Sequence, residues 1–542
     1  MVHSIPLREL SSSSHLLTDF WDARRDIRDL VPRHFREDGA FAEQARLVGA
    51  ARYDRQQLSA VLREQNERFG AGPLAMERIQ RLADESSLVV IGGQQAGLFG
   101  GPLYTVHKAL TILSLARHCE EKLSRPIIPV FWIASEDSDI AEVDHAHVLD
   151  REGLLRELRM PGSAQAKIPL SRIRLGDAVC PLLDELGAML PDGGFREETM
   201  AALRGAYTPD RTYPQAFGAW MAYLFNEQGL VLVDPSDDRL KRLALPLFQR
   251  EIREKSPVTE AVLEQTDRLV RAGYHPQIEL RRGYLTLFHQ DPSRDAITVN
   301  EKGFELKASG RKFSVEELAV LFEQSPGSFT PNATLRPLFQ DTIFPSLAVV
   351  LGPSEIAYFS QLTLAYQRMG IPMPLMIPRA SLTLVDAKID ALCSRLGVGV
   401  AEVMERGEHI IDDVLKRHVP ASLDRRIVEG RVTVADIWRG IVSEIDALDP
   451  TLHRTAVIGS SRALRQFDFM EKKIAQAARR KNTLLRTQVQ RLADSLAPKG
   501  KLQERVLCAL PFLTRSGGSI IAAAAQAVDP FAPEHRVVVA AP

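Results

Sequence analysis

Short apolar runs that alternate with amphipathic helical patterns are the feature that most limits how this chain can fold. Each run is too short for a buried helix and ends at a glycine or at polar residues, as buried parallel strands do. Strands that alternate with helices predict an α/β protein with a doubly wound parallel sheet, whose ligands bind beyond the carboxyl ends of the strands. The predicted core strands are Leu88–Ile91, Pro126–Ala134, Gly229–Val233, Leu347–Leu351 and Pro374–Ile377.

The chain has 542 residues, enough for several folding units at about 150 residues per domain. We predict a core over residues 1–385 with insertions at about 151–210 and 236–335, the second containing a small antiparallel sheet. Residues 386–500 show little strand signal, and apolar residues spaced three and four apart between Phe467 and Leu496 indicate a coiled coil, as an antiparallel hairpin or a dimer contact. Residues 501–542 are predicted to return to the sheet of the core.

Charge, cysteine content and hydropathy exclude several classes of protein. Lysine plus arginine total 68 and aspartate plus glutamate total 69, so the excess positive charge of a protein that coats nucleic acid or an anionic membrane is absent. The four cysteines are far apart and form no Cys-x-x-Cys pair, which argues against a zinc ribbon or a disulfide framework and favours a reducing compartment. No apolar run has the length of an export signal or a membrane span. We therefore expect a cytoplasmic protein that binds neither nucleic acid nor membrane.

Five glycines follow the first core strand, in a stretch that extends from Gly92 to Lys108. Glycine lets the backbone approach a ligand closely, and free N–H groups at a helix start bind phosphate or carboxylate. The stretch is not a Walker A loop, because Leu98 and Phe99 replace the lysine and the hydroxyl residue, and it is not the Gly-x-Gly-x-x-Gly of a dinucleotide fold. An anion site and a tight turn packed by glycine are the two interpretations left open.

Carboxylates cluster directly after the second core strand, at Glu136, Asp137 and Asp139. Just past the end of a buried strand they could hold a substrate amine or a metal ion, and the alternative is a solvated turn that caps the next helix. His145 and His147 are two residues apart and would share a face of a strand, but their loose spacing favours a structural role over metal binding.

Two further turns carry candidate binding residues. Glu355 and Tyr358 are three residues apart after Gly352, so both can point into one cleft from the first turn of a helix, with core packing of their apolar neighbours as the alternative. Arg379 and Ser381 follow the last core strand, where a cation beside hydroxyl groups can neutralise phosphate.

Four stretches form a motif series. They are GQQAGLF with GPLYT and Lys108 (residues 93–108), PVFWIA with Glu136-Asp137 (129–137), GPSEIAYF (352–359) and KLQER (501–505). In order, and over nearly the whole chain, this series resembles the cysteine-adding enzymes of bacillithiol biosynthesis, the cysteine ligases of that pathway. The resemblance implies a Rossmann-like core similar to nucleotidyltransferases and class I aminoacyl-tRNA synthetases, two connecting insertions, and a helical coiled-coil domain that makes a homodimer.

The chain departs from the family pattern at three positions. Gly92 and Gly100 stand where threonine is usual, and Ser138 stands where the acidic run commonly has histidine. A sister family that uses another thiol precursor is therefore an open alternative, whereas the implied fold is unaffected.

The resemblance implies an enzyme that joins the carboxyl group of cysteine to the amine of glucosaminyl-malate, forming an amide bond and yielding bacillithiol. A free carboxylate is a poor acyl donor, so the resemblance also implies activation, most simply by ATP with Mg²⁺ to an adenylate or an acyl phosphate. Glycine-turn N–H groups and arginine would hold anions, while carboxylates would hold the cysteine ammonium or accept a proton. The candidate binding residues are Gly93, Gln94, Gln95, Gly97, Gly101, Tyr104, His145, Gly352, Glu355, Tyr358, Arg379 and Ser381, and the candidate catalytic residues are Lys108, Glu136, Asp137 and Asp139.

Two other functions stay open at this point. One is a related nucleotide-binding ligase or nucleotidyltransferase with another substrate, and the other is a non-catalytic interaction protein organised by its coiled coil. An arginine-rich helix over residues 462–491 keeps tRNA binding open, although a solvated helix face is the simpler interpretation. The sequence does not decide the activating nucleotide, any catalytic metal, or the role of each carboxylate.

Overall fold

A computed structural model describes residues 2–10, 15–28, 30–162, 168–290, 293–416, 421–481 and 483–539. Residues 163–167 of the first predicted insertion, 291–292 of the second and 540–542 of the predicted returning segment lie outside these ranges. The chain forms two compact units: a core unit, Met1–Leu384 with Gln503–Pro542, and a helical unit, Val385–Leu502.

The strands form a parallel sheet, an antiparallel sheet, a three-stranded sheet and a hairpin. They are β1 (Val2–Pro6), β2 (Leu88–Gln94), β3 (Ile127–Ile133), β4 (His145–Leu149), β5 (Leu155–Arg159), β6 (Val231–Val233), β7 (Tyr284–Gln290), β8 (Arg294–Asn300), β9 (Gly303–Leu306), β10 (Lys312–Phe313), β11 (Phe329–Pro331), β12 (Ser346–Leu351), β13 (Leu375–Pro378), β14 (Ser381–Val385) and β15 (Glu534–Val539).

Helices surround the sheets of the core unit and make up most of the helical unit. In the core unit they are α1 (His15–Trp21), α2 (Arg25–Arg28), α3 (Ala40–Gly49), α4 (Arg55–Phe69), α5 (Pro73–Leu82), α6 (Tyr104–Leu123), α7 (Val179–Met189), α8 (Arg196–Ala206), α9 (Tyr213–Leu224), α10 (Asp238–Leu243), α11 (Leu245–Arg253), α12 (Pro257–Arg271), α13 (Val315–Gln324), α14 (Leu335–Ile343), α15 (Pro353–Ser360), α16 (Thr363–Met369), α23 (Leu510–Ser516) and α24 (Ser519–Ala527). In the helical unit they are α17 (Ala387–Leu396), α18 (Val400–Arg406), α19 (Ile411–Lys416), α20 (Ala421–Leu448), α21 (His453–Lys481) and α22 (Thr483–Leu496).

The parallel sheet has five strands in the order β13-β12-β2-β3-β6 and contains all of the predicted core strands. Its strands are almost wholly apolar and buried because helices cover the sheet, with α6 packed against both β2 and β3. The chain order along the sheet reverses between β2 and β12, and a doubly wound sheet binds ligands at such a switch point. The predicted doubly wound parallel sheet is therefore confirmed.

The insertions and the chain's last strand form separate sheets. The predicted small antiparallel sheet is present, with five strands in the order β10-β9-β8-β7-β11. Strand β15 pairs antiparallel with β1 and also neighbours β14. The tail therefore belongs to the core unit, as predicted, but it joins this separate sheet and not the parallel sheet. Strand β1 was not predicted, because its partner β15 lies too far along the chain to leave a local pattern.

The helical unit contains a long antiparallel hairpin of α20 and α21, which is one of the two predicted forms of the coiled coil. Small residues let the two helices approach closely: a Cβ on Gly459 would lie 2.6 Å from the Trp438 ring, and one on Gly430 would lie 3.1 Å from the Phe467 ring. Met470, which was predicted to share the seam, is 49% exposed. The later seam residues Val489, Leu492 and Leu496 are buried.

Candidate active site

A cavity of about 660 Å³ lies at the carboxyl ends of the parallel strands. Residues that end or follow strands of the sheet contribute to its wall, because the carboxyl ends of parallel strands meet at one edge. The cavity therefore occupies the position that the sequence predicted for a ligand. Among the predicted site residues, the wall includes Gly93, Gln94, Gln95, Tyr104, Lys108, Glu136, Asp137, Gly352, Glu355, Tyr358 and Arg379.

Lys108 is a buried cation on the wall of this cavity. Helix α6 places it one turn after Tyr104, so both side chains reach the same wall. Its Nζ donates to the Gly93 carbonyl at 2.6 Å, to Gln94 Oε1 at 3.1 Å and to Glu355 Oε2 at 2.5 Å. Burial lowers the pKa of Lys108, and the Glu355 charge opposes that shift. Because an ammonium has three donors and all are used, Lys108 fixes the end of β2 to the start of α15.

The acidic turn after β3 presents two carboxylates with different surroundings. Glu136 is 9% exposed, and its Oε1 lies 2.6 Å from Lys241 Nζ. Burial raises the pKa of Glu136, while Lys241 opposes the shift. Asp137 accepts hydrogen bonds from Gln95 Nε2 at 2.6 Å and from the Ser138 N–H at 2.7 Å. The turn therefore carries one deeply buried carboxylate and one that is tied to the glycine turn.

Arg379 is held on the opposite side by a buried carboxylate. Glu504 is 2% exposed and accepts hydrogen bonds from Arg379 Nη1 at 3.1 Å and Nη2 at 2.6 Å, from His107 Nδ1 at 3.0 Å, and from the Leu382 N–H at 3.0 Å. Burial alone would raise the pKa of Glu504, but Arg379 and His107 hold it well below its usual range. The guanidinium therefore has a fixed position beside the cavity.

The glycine turn, residues 92–101, is tightly packed at Gly97 and Gly101, two of the three glycines predicted to hold an anion, whereas the third, Gly93, lies on the cavity wall. The Gly97 N–H donates to the Gln95 carbonyl at 2.9 Å, and the Gly101 N–H donates to the Leu98 carbonyl at 3.0 Å. A Cβ on Gly97 would lie 2.7 Å from the Cα of Gly101, so the backbone packs against itself. Gly97 and Gly101 do not line the cavity. Their predicted role in holding an anion is wrong because their donors are already used.

Three other predicted residues lie off the cavity wall. Asp139 is exposed, since the turn carries it away from the cavity. His145 lies on β4 with its Nδ1 3.1 Å from Asp144 Oδ1. Its place in the β4–β5 hairpin keeps it off the cavity wall. The hydroxyl of Ser381 lies 2.8 Å from Nδ1 of the buried His535, so it is used inside the three-stranded sheet. The predicted roles of Asp139, His145 and Ser381 at this cavity are therefore wrong, because none of the three lies on its wall.

Two arginines from outside the predicted motifs complete the wall. Arg294, at the start of β8, donates from Nη1 to Ser138 Oγ at 2.8 Å and stacks with its Cζ 3.8 Å from the Phe288 ring centroid. Arg336, on α14, donates from Nη2 to the Tyr358 hydroxyl at 3.3 Å. Burial raises the pKa of Tyr358 to about 12, so that hydroxyl keeps its proton at neutral pH. The wall residues that sequence reasoning did not assign include Trp132, Glu142, Arg294, Asn332, Arg336 and Arg505.

Family comparison adds to this geometry. A model described as "Bacillithiol biosynthesis BshC, N-terminal Rossmann-like domain" matches residues 2–380, and one described as "Bacillithiol biosynthesis BshC, C-terminal coiled-coil domain" matches residues 382–540. The chain belongs to the BshC family. Membership confirms the resemblance drawn from the motif series, together with the Rossmann-like core and the C-terminal coiled-coil domain.

Individual members of the BshC family match over almost their full lengths. A relative from Salinibacter ruber is 31% identical over 541 residues, which cover 99% of this chain and 98% of the relative. A relative from Koribacter versatilis is 31% identical, covering 98% and 99%, and one from Bacillus cereus is 29% identical, covering 93% and 94%. Each is named "Putative cysteine ligase BshC". These names agree with the predicted enzyme class, a ligase.

The described ranges contain neither a membrane-spanning helix nor a cluster of metal-binding side chains. None of the helices there is both long enough and apolar enough to cross a bilayer. No three His, Cys, Asp or Glu side chains are grouped as metal ligands within those same ranges.

Proposed function

We propose that this BshC family member is a cysteine ligase that joins the carboxyl group of cysteine to the amine of glucosaminyl-malate, with loss of water, to form bacillithiol. The observation that carries the proposal is the convergence of all four motif stretches on one cavity. The stretches are far apart in the sequence, yet each contributes a polar side chain to the wall: Gln95, Asp137, Glu355 and Arg505. Such convergence is what a reaction between two small substrates requires, because both must be oriented together.

The two carboxylates of the acidic turn suit different tasks. Asp137 is held by Gln95 at the cavity and would bind the ammonium group of cysteine. Glu136 has a pKa raised by burial, which makes its carboxylate a stronger base for the proton of the attacking amine. In this assignment Asp139 has no part, because its side chain lies outside the cavity.

Lys108 acts through its neighbours in this proposal. Its three donors are engaged by Gly93, Gln94 and Glu355, so it orients those groups and adds a positive field without its own bond to a substrate. The amide nitrogen of Gln94 then faces substrates with a fixed orientation, because the amide oxygen accepts from Lys108.

Activation by ATP with Mg²⁺ belongs to the same proposal. ATP, when bound, would turn the cysteine carboxyl group into a better acyl donor. The cavity suits a polyanion, because Arg294 and Arg336 make no ion pair with a carboxylate among the described residues. Magnesium is usually held by substrate phosphates and one or two carboxylates, and Glu142 on the wall would supply one.

Incubation of the purified protein with cysteine, glucosaminyl-malate and Mg-ATP tests the reaction. Mass spectrometry should detect a product equal in mass to the two substrates less one water. Release of AMP would indicate an adenylate, and release of ADP would indicate an acyl phosphate. If another amino acid, and not cysteine, drives exchange of pyrophosphate into ATP, the chain is a related ligase with a different substrate.

Neighbouring carboxylates provide a matched control. Asp137→Asn should lower kcat/KM by about 10- to 100-fold, the usual cost of losing a charge-assisted contact to a substrate ammonium group. Asp139→Asn, two residues away in the same turn but off the cavity, should leave it unchanged. No product, together with rescue of a low-thiol phenotype by Gln95→Ala, would replace the catalytic proposal with a non-catalytic interaction role.

We also propose that the helical unit pairs two copies of the chain. On α20, Ile437, Ile441 and Leu448 share one face and are 55%, 38% and 82% exposed, which is unusual for large apolar side chains. Light scattering after size exclusion should give twice the chain mass for the wild type and the single mass for Ile441→Glu. Val428→Glu, on the other face of α20, should remain dimeric. A wild-type protein of single-chain mass would contradict this proposal.

A further inference from the structure

A short segment, Gln503-Glu504-Arg505, docks on β14 beside the cavity. Gln503 Oε1 accepts from the Leu384 N–H at 2.8 Å, and its Nε2 donates to the Leu384 carbonyl at 2.8 Å, as a neighbouring strand would. Glu504 accepts from the N–H of Leu382, two residues earlier on the same strand. Both side chains are buried, whereas Arg505 is exposed and lines the cavity. The buried hydrogen bonds of Gln503 and Glu504 to β14 therefore fix the position of Arg505 at the cavity wall.

Arg379 keeps donors available for a ligand. A guanidinium has five N–H groups in a rigid plane. Nη1 donates to Glu504 and, at 3.0 Å, to the Ala380 carbonyl, while Nη2 donates once to Glu504. The Nε–H and the second Nη2–H have no partner among the described residues, although the side chain is only 6% exposed. Glu504 and the Ala380 carbonyl therefore hold one edge of the Arg379 guanidinium, while its Nε–H and one Nη2–H remain available to a ligand.

Arg379, Glu504 and Arg505 together carry one positive charge that is not balanced within this group. Glu504 stays ionised and balances Arg379. Burial lowers the pKa of His107, so this neighbour is neutral at pH 7. Arg505 makes no ion pair within the described ranges and supplies the excess charge. Arg379 Cζ lies 5.8 Å from the Tyr104 ring centroid. Burial raises the pKa of Tyr104, the charges of Arg379 and Arg505 lower it, and those of Glu142 and Glu355 raise it, so both arginines act on one ring.

We propose that Arg379 and Arg505 form an oxyanion subsite, here called the arginine subsite, and that Glu504 is the positioning residue for Arg379. The subsite takes a phosphate or a carboxylate group of a substrate. This inference rests on the proposed function for the reaction it serves, since a ligase joining these substrates meets nucleotide phosphates and malate carboxylates. Charge-assisted bonds from two guanidinium groups are among the strongest contacts available for either anion.

Calorimetric titration of the purified wild type with inorganic tripolyphosphate and with L-malate tests the subsite without any need for turnover. Arg505→Gln should weaken binding of one probe by about tenfold or more, the usual worth of a charge-assisted hydrogen bond. Arg505→Lys should keep most of the affinity, and Arg63→Gln, an exposed arginine on α4, should have no effect. A loss confined to tripolyphosphate assigns the subsite to nucleotide phosphate, and a loss confined to L-malate assigns it to the carboxylate substrate.

The inference is overturned if the wild type binds neither probe at millimolar concentration, or if Arg505→Gln binds both as tightly as the wild type. Because these titrations measure binding alone, they can succeed when the ligation assay fails, and the two failures are distinguishable.

The positioning role of Glu504 has its own readout. Glu504→Gln should raise KM for the anionic substrate by about tenfold while kcat changes less, because Arg379 loses the partner that fixes its position. If Glu504→Gln lowers only thermal stability and leaves both KM and the probe affinities unchanged, Glu504 is structural and the positioning role is wrong.

Discussion

The glycine turn and the arginine subsite adjoin the same cavity but use their hydrogen-bond donors in opposite ways. In the glycine turn, the N–H groups of Gly97 and Gly101 bond within the turn, so neither is available to a ligand. In the arginine subsite, a buried carboxylate takes one edge of Arg379 and leaves other donors open. The difference teaches that glycines after a strand can mark close packing instead of anion binding, and that donors must be counted before a site is assigned.

The largest expected effect comes from removing the cation of the arginine subsite. Arg379→Met should reduce product formation by about 100-fold, because the bound substrate anion loses a preorganised, charged donor group. It should also lower the free energy of unfolding by about 3–5 kcal/mol, since Glu504 is left buried without its partner. Urea denaturation and the ligation assay measure the two losses separately.

A second substitution separates those two losses. Adding Glu504→Gln to Arg379→Met removes the unpaired charge, so stability should recover by a few kcal/mol, on the order of the penalty above, while activity stays low. Recovery of activity with stability would mean that the subsite is structural, as the glycine turn is.

Acid should weaken the sheet that supports the arginine subsite. His535 lies 2.8 Å from both Ser381 Oγ and Thr383 Oγ1, and burial lowers its pKa to about 4. The unfolded chain binds this proton at pH about 6.5, so stability is full above that pH and falls as the pH drops toward 4, by on the order of 3 kcal/mol. Unfolding measured across this range should show a smaller slope for His535→Gln, and an unchanged slope would contradict the assignment.

The packing role of the glycine turn predicts a smaller loss of stability. Gly100 has φ +90°, and an added Cβ would lie 2.8 Å from the Trp220 ring. Gly39 has φ +72° but no atom within 4 Å of an added Cβ, so it shares the backbone strain without the collision. Gly100→Ala should therefore cost about 2 kcal/mol more than Gly39→Ala in urea denaturation. Equal losses would show that the turn tolerates side chains and is less tightly packed than the structure indicates.

The smallest effect is expected where the glycine turn does reach the cavity. Gln95→Ala removes the 2.6 Å bond to Asp137, which should lower kcat/KM by about tenfold through loss of one charge-assisted bond. The free energy of unfolding should change by less than about 0.5 kcal/mol, because the side chain is part of the cavity wall and not of the core. A stability loss without an activity loss would place Gln95 with the packing glycines.

The parallel sheet could be predicted because each buried strand has a continuous run of apolar residues in the sequence. The strand Ser346–Leu351, with five consecutive apolar residues after Ser346, is an example. Their carboxyl ends also indicated the edge at which Asp137, Glu355 and Arg379 meet. Strand Val2–Pro6 escaped prediction because its partner comes from the far end of the chain.

The missed site residues have two different causes. Arg294 and Arg336 come from an inserted sheet and from a helix outside the motifs, so only tertiary packing brings them to the cavity. Trp132 and Arg505 stand inside quoted motifs and could have been assigned from that position. The misassigned Gly97 and Gly101 show a third limit, since sequence does not reveal whether an N–H bonds within its own turn.

The docking of Gln503-Glu504-Arg505 on β14 has a consequence for how the enzyme emerges from the ribosome. The whole helical unit is translated between Arg379 and Glu504, and domains generally begin to fold as they are synthesised. A nascent chain that ends before Glu504 therefore has neither the clamp on Arg379 nor the second arginine. The arginine subsite thus forms only after the helical unit has been translated, and a chain terminated before Glu504 would not compete through this subsite for substrate.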